Sequence, residues 1–398
     1  MKPQFILEWK LFTNNIKNQV LFGLFIFLAL FATFVIEPNH EPWRAIDQGS
    51  YEVEIEDAEY FIEKKDPNTN QRMFAMFMNM IDVNGRLIEA VETKDWHTVM
   101  MEEQNHYYNF VMGRYGDGGS YRDPYFYDYD EYTYISELQQ SYALGYTGER
   151  YIDYQASDVE LSQSIIEERT VIQTILRYMQ EALPAILIIL AILFAVDIVP
   201  KDKRHPSIVH NVPVSPYKNS WAKSGVVLAA YTGTLFIGFL IFAVPVALRH
   251  GFGPLNLPIP VYGWSYSLGH IWVNSTIGTM FFQAIILLYL IALIFIRGIT
   301  WINLFIKNTF INLLTIPLVF ISNLWHTPGK AYVYTRYNYI PATYFKIGQA
   351  LTGQLNFLYL SDLISFGTGL LSLGVTLIVI EVLILISLKL TRRFKGGK

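Results

Sequence analysis

The chain has 398 residues, 52% hydrophobic and only 16% charged, against about 25% charged in ordinary soluble domains. It contains no cysteine, which excludes disulfides, thiolate metal sites and cysteine nucleophiles. The formal net charge of −4 hides a segregation: outside 37–181 the only acids are Glu8, Asp197, Asp202, Asp362 and Glu381, so that segment is strongly acidic and the remainder basic.

Residues 1–18, MKPQFILEWKLFTNNIKN, place Phe5, Ile6, Trp9 and Phe12 at helical spacing, which predicts an amphipathic helix on the inner membrane face. A helix needs about 20 apolar residues to cross the hydrocarbon core, and 19–36 supplies the first span. Its apolar run is too long for a signal peptide and no A-x-A site follows it, so it reads as an uncleaved anchor. Between spans one and two, 37–181 reads as a mostly helical domain. Leu87, Val91, Trp96, Val99, Met100, Tyr107 and Phe110 predict a helix over 86–115, preceded by an Asn84-Gly85 turn. A second helix over 158–180, capped by Ser157-Asp158, is predicted to run straight into the second span. The tyrosines and acids of 113–131 suit either a sticky patch for a cationic or amphipathic ligand or plain packing at a domain edge. Glu103 and His106 share a helix face with His97 nearby, but no H-E-x-x-H occurs and no metal site is expected.

Further spans are predicted near 182–199, 225–248, 277–296, 310–324 and 363–388. The expected fold class is therefore an all-α membrane protein with six transmembrane helices, because every peptide group in lipid must be satisfied within its own helix. Orientation follows from the bases in the flanks. Lys2, Lys10 and Lys17 precede span one; Lys201, Lys203, Arg204, Lys218 and Lys223 lie between spans two and three; Arg297 and Lys307 lie between four and five; Lys389, Arg392, Arg393, Lys395 and Lys398 follow six. These alternate connections outweigh the opposite side, which has Arg249, Lys330, Arg336 and Lys346. Both termini, including a tail at 389–398, are expected in the cytoplasm and 37–181 outside, in a multi-pass plasma-membrane protein.

No G-x-x-x-x-G-K-[ST] and no G-x-S-x-G occurs, so no ATP site or serine nucleophile is expected in this chain, and it is not read as an enzyme. Ionisable groups in spans are functional candidates because lipid makes them costly. Glu381 lies inside span six and suits either an interhelical hydrogen bond or a pathway role. Asp197, at the end of span two, is near enough to Lys201 to pair with it. The loop 200–224, PKDKRHPSIVHNVPVSPYKNSWAKS, is the most informative stretch. Ser207 to Val212 form one to two turns that Pro213 ends, and a short helix between two spans can pass force from a cytoplasmic partner into the membrane.

Lys203-Arg204, the turn Ser207 to Val212, Pro213-Val214-Ser215 and Lys223 together resemble the coupling loop of permease subunits of type 2 ABC exporters. The segment YNYIPATYFKIGQALTG before the last span resembles the Leu-Pro-x-x-Tyr stretch of Gram-positive members. Where the family has an acid and Gly-Thr, this chain has Arg204-His205-Pro206-Ser207. The resemblance covers the membrane portion only. It implies a coupling helix in which Ile208, Val209, Val212 and Pro213 dock on cytoplasmic ABC ATPase subunits, with Lys203, Arg204, Ser207 and Ser215 beside it. It also implies a second permease copy or homologue in the lipid, and ATP and Mg on the partner subunit, with no cofactor here and no nucleic acid. Export of a peptide, lipid or amphipathic compound would follow. The rival reading is a membrane receptor whose external domain binds a ligand.

Overall fold

The computed structural model describes residues 2–42, 44–64, 71–108, 134–198, 215–265, 269–306, 309–324, 337–359 and 361–395. The chain is mostly helical and divides into two compact units. The first unit comprises Met1–Pro38, Ile175–Arg249 and Phe281–Lys398; the second comprises Asn39–Thr174 and His250–Met280. The second therefore takes in residues beyond the expected 37–181.

In the first unit, α1 (Lys2–Thr13) stops at a break where the Asn15 side chain accepts the Lys17 N–H at 3.1 Å and starts α2 (Ile16–Phe31). A π-helical turn, Ala32–Ile36, extends α2 to a 21-residue apolar stretch. The sequence face expected on α1 is split: Phe12 is buried edge-on to Phe194, while Ile6 and Trp9 are exposed and Gln4 and Glu8 point inward. α2 exposes Val20, Leu24, Phe27 and Phe31 along one face and Leu28 and Leu30 on others. An apolar surface all round suits lipid rather than water.

Four helices among the described residues are long and apolar enough to cross a membrane: Ile16–Ile36, Pro216–His250 (α10), Ile277–Phe305 (α11) and Phe366–Leu390, part of Phe366–Lys395 (α16). The pair Gln163–Gln180 and Leu183–Ala195 (α9) is bent by 75° and counts as a fifth if taken as one broken span. This corrects the expectation of a straight helix from 158 into span two. α9 is only 13 residues, with Pro184 in its first turn. The predicted span at 310–324 is also not met among the described residues. There the chain forms α12 (Thr309–Leu313) and α13 (Thr315–Leu324), and ten residues reach about 15 Å, half the hydrocarbon thickness. α10, at 35 residues, starts nine residues before the predicted third span. α16 likewise continues into the predicted tail.

The core of this unit is one cluster in which Ile188, Ala191 and Phe194 of α9, Tyr231 of α10, Leu287, Ile291 and Ile299 of α11 and Leu373 of α16 are buried together. Short pieces complete it before α16: 3₁₀ turns at Tyr337–Tyr339 and Pro341–Phe345, then α14 (Ile347–Leu351) and α15 (Gln354–Tyr359). Gly348 is where α14 meets the chain before α9. A Cβ there would lie 2.5 Å from the Met179 and Gln180 backbone, and Gln349 donates to the Gln180 carbonyl at 3.1 Å.

The second unit is built on α3 (Gln48–Glu63), α4 (Gln71–Thr93), α5 (Trp96–His106) and α6 (Tyr134–Gln155), followed by α7 (Gln163–Ile166). α8 (Val171–Gln180) leads out of it. The predicted Asn84-Gly85 turn is instead the interior of α4. Asn84 is fully buried and its amide donates to Glu54 at 2.9 Å while its carbonyl accepts from Arg44 at 2.8 Å. The real break comes at Lys94, whose φ of 57° leaves the helical region before Asp95 caps α5. Another left-handed residue, Glu168 (φ 54°), separates α7 from α8, whose first N–H groups on Val171 and Ile172 donate to Gly251 and Phe252 carbonyls. Ser162, not Ser157-Asp158, caps α7, its hydroxyl accepting from the Ile165 N–H.

One departure from the all-α expectation lies here. β1 (Pro258–Ser265) and β2 (Gly269–Thr276) form an antiparallel hairpin with Val261 opposite Val273. β1 packs on α6. Trp272 meets Tyr142, Tyr146 and Tyr262 at ring distances of 5.5, 6.3 and 5.4 Å. Gly145 makes room for it, since a Cβ there would lie 2.8 Å from the indole.

Candidate functional site

Of the predicted coupling residues, Lys203, Arg204, Ser207, Ile208, Val209, Val212 and Pro213 lie outside the described residues, as does the tyrosine-rich 113–131. Ser215 is described: it is exposed and its hydroxyl accepts the Lys218 N–H at 3.4 Å at the start of α10. What the structure brings together are the chain ends on either side of 199–214.

On the near side, Asp197 follows α9. Its predicted partner Lys201 lies outside the described residues; the Lys17 ammonium lies 2.7 Å from its carboxylate and the Asn15 amide donates at 2.6 Å. Lys17 also donates to the Leu193 carbonyl at 2.6 Å. On the far side, the first turns of α10 face α1. Lys223, buried, pairs with Glu8 at 3.6 Å, and Gln4 bridges Glu8 (3.1 Å) to Asn219 (2.8 Å).

One helix face further, α10 meets α11 and α16 around a buried ion pair. Arg297 of α11 is fully buried and forks onto Glu381 of α16, its Nε meeting one carboxylate oxygen and Nη2 the other at 2.9 Å. Nη1 donates to the Ser220 and Ser224 hydroxyls at 2.8 and 3.0 Å. The Tyr217 hydroxyl donates to Glu381 at 3.0 Å, and the guanidinium carbon sits 4.3 Å above the Trp221 ring. A bidentate fork with both hydroxyls satisfies four of the five guanidinium donors, which is what a charge away from water requires. Glu381 is thus an interhelical partner.

The flank count places Arg297 among loop bases, and the structure corrects this: α11 runs on to Phe305 and carries it inside. The signal is present in the sequence, because apolar Gly298-Ile299-Thr300-Trp301-Ile302 follows it, so a lone arginine there requires an acid. Lys223 and Glu8 carry no local cue to their pairing.

The second unit has its own buried polar core. Arg44 pairs with Glu54 at 2.6 Å and Glu103 at 3.2 Å and lies 4.6 Å over Tyr51, whose hydroxyl donates to Glu103 at 3.0 Å. Burial pushes the Glu103 carboxyl above the usual carboxylate range, against the pull of Arg44. Burial, and then the Arg44 charge, push the His106 imidazole down to about 3. Glu103 is committed to Arg44 and Tyr51, and no group of three or more metal-ligating residues occurs among the described residues.

Apolar helices of spanning length among the described residues are compatible with a multi-pass membrane protein. No protein-family model, no curated protein and no solved structure matches the chain.

Proposed function

We propose that the chain is the membrane permease of an ABC-type exporter, with both termini in the cytoplasm, the acidic 37–181 segment outside the cell membrane, and ATP and Mg held by separate ATPase subunits that dock on 200–224. Six spans and a second permease copy belong to this reading.

The observation that carries it is the clamping of both chain ends that flank 199–214. Asp197 is tied to α2 through Lys17, and the start of α10 is tied to α1 through Lys223 and Glu8. The same start of α10 holds Arg297 and Glu381 through Ser220, Ser224 and Tyr217. Separating a buried ion pair costs about 3–5 kcal/mol, so a push on this loop would be handed to helices rather than absorbed in a hinge. Connectivity agrees with an outer domain. Glu37 and Arg249 pair at 2.8 Å, and the two segments of the second unit begin at Asn39 and His250, directly after them.

The test is Val209→Asp in permease reconstituted with its ATPases in nanodiscs. Insertion is expected to be unchanged and transport-linked stimulation of ATP hydrolysis lost. Retained stimulation would remove the coupling assignment.

A further inference from the structure

We infer that the outward face of α3 is a docking surface for a cationic amphipathic peptide. α3 buries Tyr51 and Ala58 toward its own unit and turns large apolar groups outward: Val53, Tyr60 and Phe61 are each more than half exposed, at 56%, 51% and 56%. Phe61 is backed by Phe77 of α4, the rings stacked at 5.2 Å, so its exposed side is held in place. Interleaved with these are Glu52, Glu56 and Glu59, exposed and without an ion-pair partner among the described residues.

Several acids elsewhere in the unit are used differently. Glu102 pairs with Arg86 and Glu103 with Arg44, while Glu167 pairs with Arg169. Glu54 of α3 is likewise taken by Arg44, but Glu52, Glu56 and Glu59 form a strip with no ion pair among the described residues, and α3 itself carries no lysine or arginine. Fixed negative charge repels anionic lipid headgroups and equally repels a second copy of the same face. What it attracts must bring bases, and what covers Val53, Tyr60 and Phe61 must bring apolar surface. A peptide with both on one helix satisfies the two demands together. The face already receives one ammonium: Lys64 Nζ stands 4.2 Å above the Tyr60 ring. The inference rests on the exporter reading for the consequence of binding, and it supplies the substrate class which that reading leaves open.

The test uses purified full-length protein and a fluorescent lysine/leucine helical peptide, with a glutamine/leucine peptide of equal length as the neutral control. The cationic peptide is expected to bind, more weakly as salt rises, and to bind about tenfold or more weakly to Glu52→Lys/Glu56→Lys/Glu59→Lys. Should that variant fail to fold, Glu56→Gln/Glu59→Gln is expected to show the same direction. Equal binding by the charge variants, equal binding of the neutral peptide, or no binding to the wild type would each overturn the inference. Because the chain has no cysteine, Val53→Cys takes a single polarity-sensitive dye. A blue shift is expected only when peptide is added; a shift in proteoliposomes alone would mean that lipid covers this face, and would also overturn it. Peptide that binds α3 without stimulating the ATPases leaves the surface standing and removes the exporter reading. Peptide that stimulates them equally in the charge variants does the reverse.

Discussion

The residue that organises the first unit is Arg297. Its guanidinium is buried, forked on Glu381 and seated on Ser220 and Ser224. Removing one member of such a pair leaves the other charged and buried, whereas removing both leaves an apolar contact. Arg297→Met alone is therefore expected to lower stability in detergent by about 3–5 kcal/mol, and Arg297→Met with Glu381→Leu to recover most of it. Equal loss in the single and double variants, read by thermal unfolding, would show that the pair is not the source. A second residue acts through pH. His106 is held neutral with its pKa near 3, below an unfolded value of about 6.5. The unfolded chain takes up that proton first, so stability is intact above about pH 6.5 and falls as pH drops from there toward 3. At about pH 5.5 the loss is about 1 kcal/mol. Glu103, raised by burial, works in the opposite sense, so the comparison is with His106→Gln. That variant should lose about 1 kcal/mol less than wild type on acidification, measured by denaturant midpoints.

Elements were legible where a periodic signal ran long enough. α10, α11 and α16 lie where apolar runs placed them, since twenty apolar residues leave few other solutions. Boundaries were not legible, because helix ends are set by partners distant in sequence. Asn84-Gly85 reads as a turn locally, yet Arg44 and Glu54 hold Asn84 inside α4. The hairpin β1–β2 was hidden because Pro258, Pro260 and Gly263 resemble loop, and its stability comes from Trp272 packing on tyrosines more than a hundred residues earlier. Of the candidate site, Asp197 and Glu381 were visible as charges out of place. Their partners Lys17 and Arg297 were seen only as flank charge, since topology rules count bases without pairing them. The break before α9 depends on α14 docking beside it at Gly348. Gly348→Ala must push a methyl into the Met179–Gln180 backbone and is expected to cost about 1–3 kcal/mol, against little for Gly233→Ala in α10, where a methyl meets nothing. Similar melting of the two variants would mean that the two backbones can part without loss.

At the scale of the whole molecule, the Glu37–Arg249 pair and the two-part second unit have a joint consequence for synthesis. Residues 39–174 emerge from the ribosome long before 250–280, and α10 lies between them. α6 therefore waits with Tyr142 and Tyr146 uncovered until β2 delivers Trp272. Maturation of this unit is delayed until α10 has been made, and its half-finished form presents aromatic surface to chaperones in the interval. Cutting out 39–174 as a single block would also strand the hairpin without its packing partner, so a clean excision needs two deletions made together.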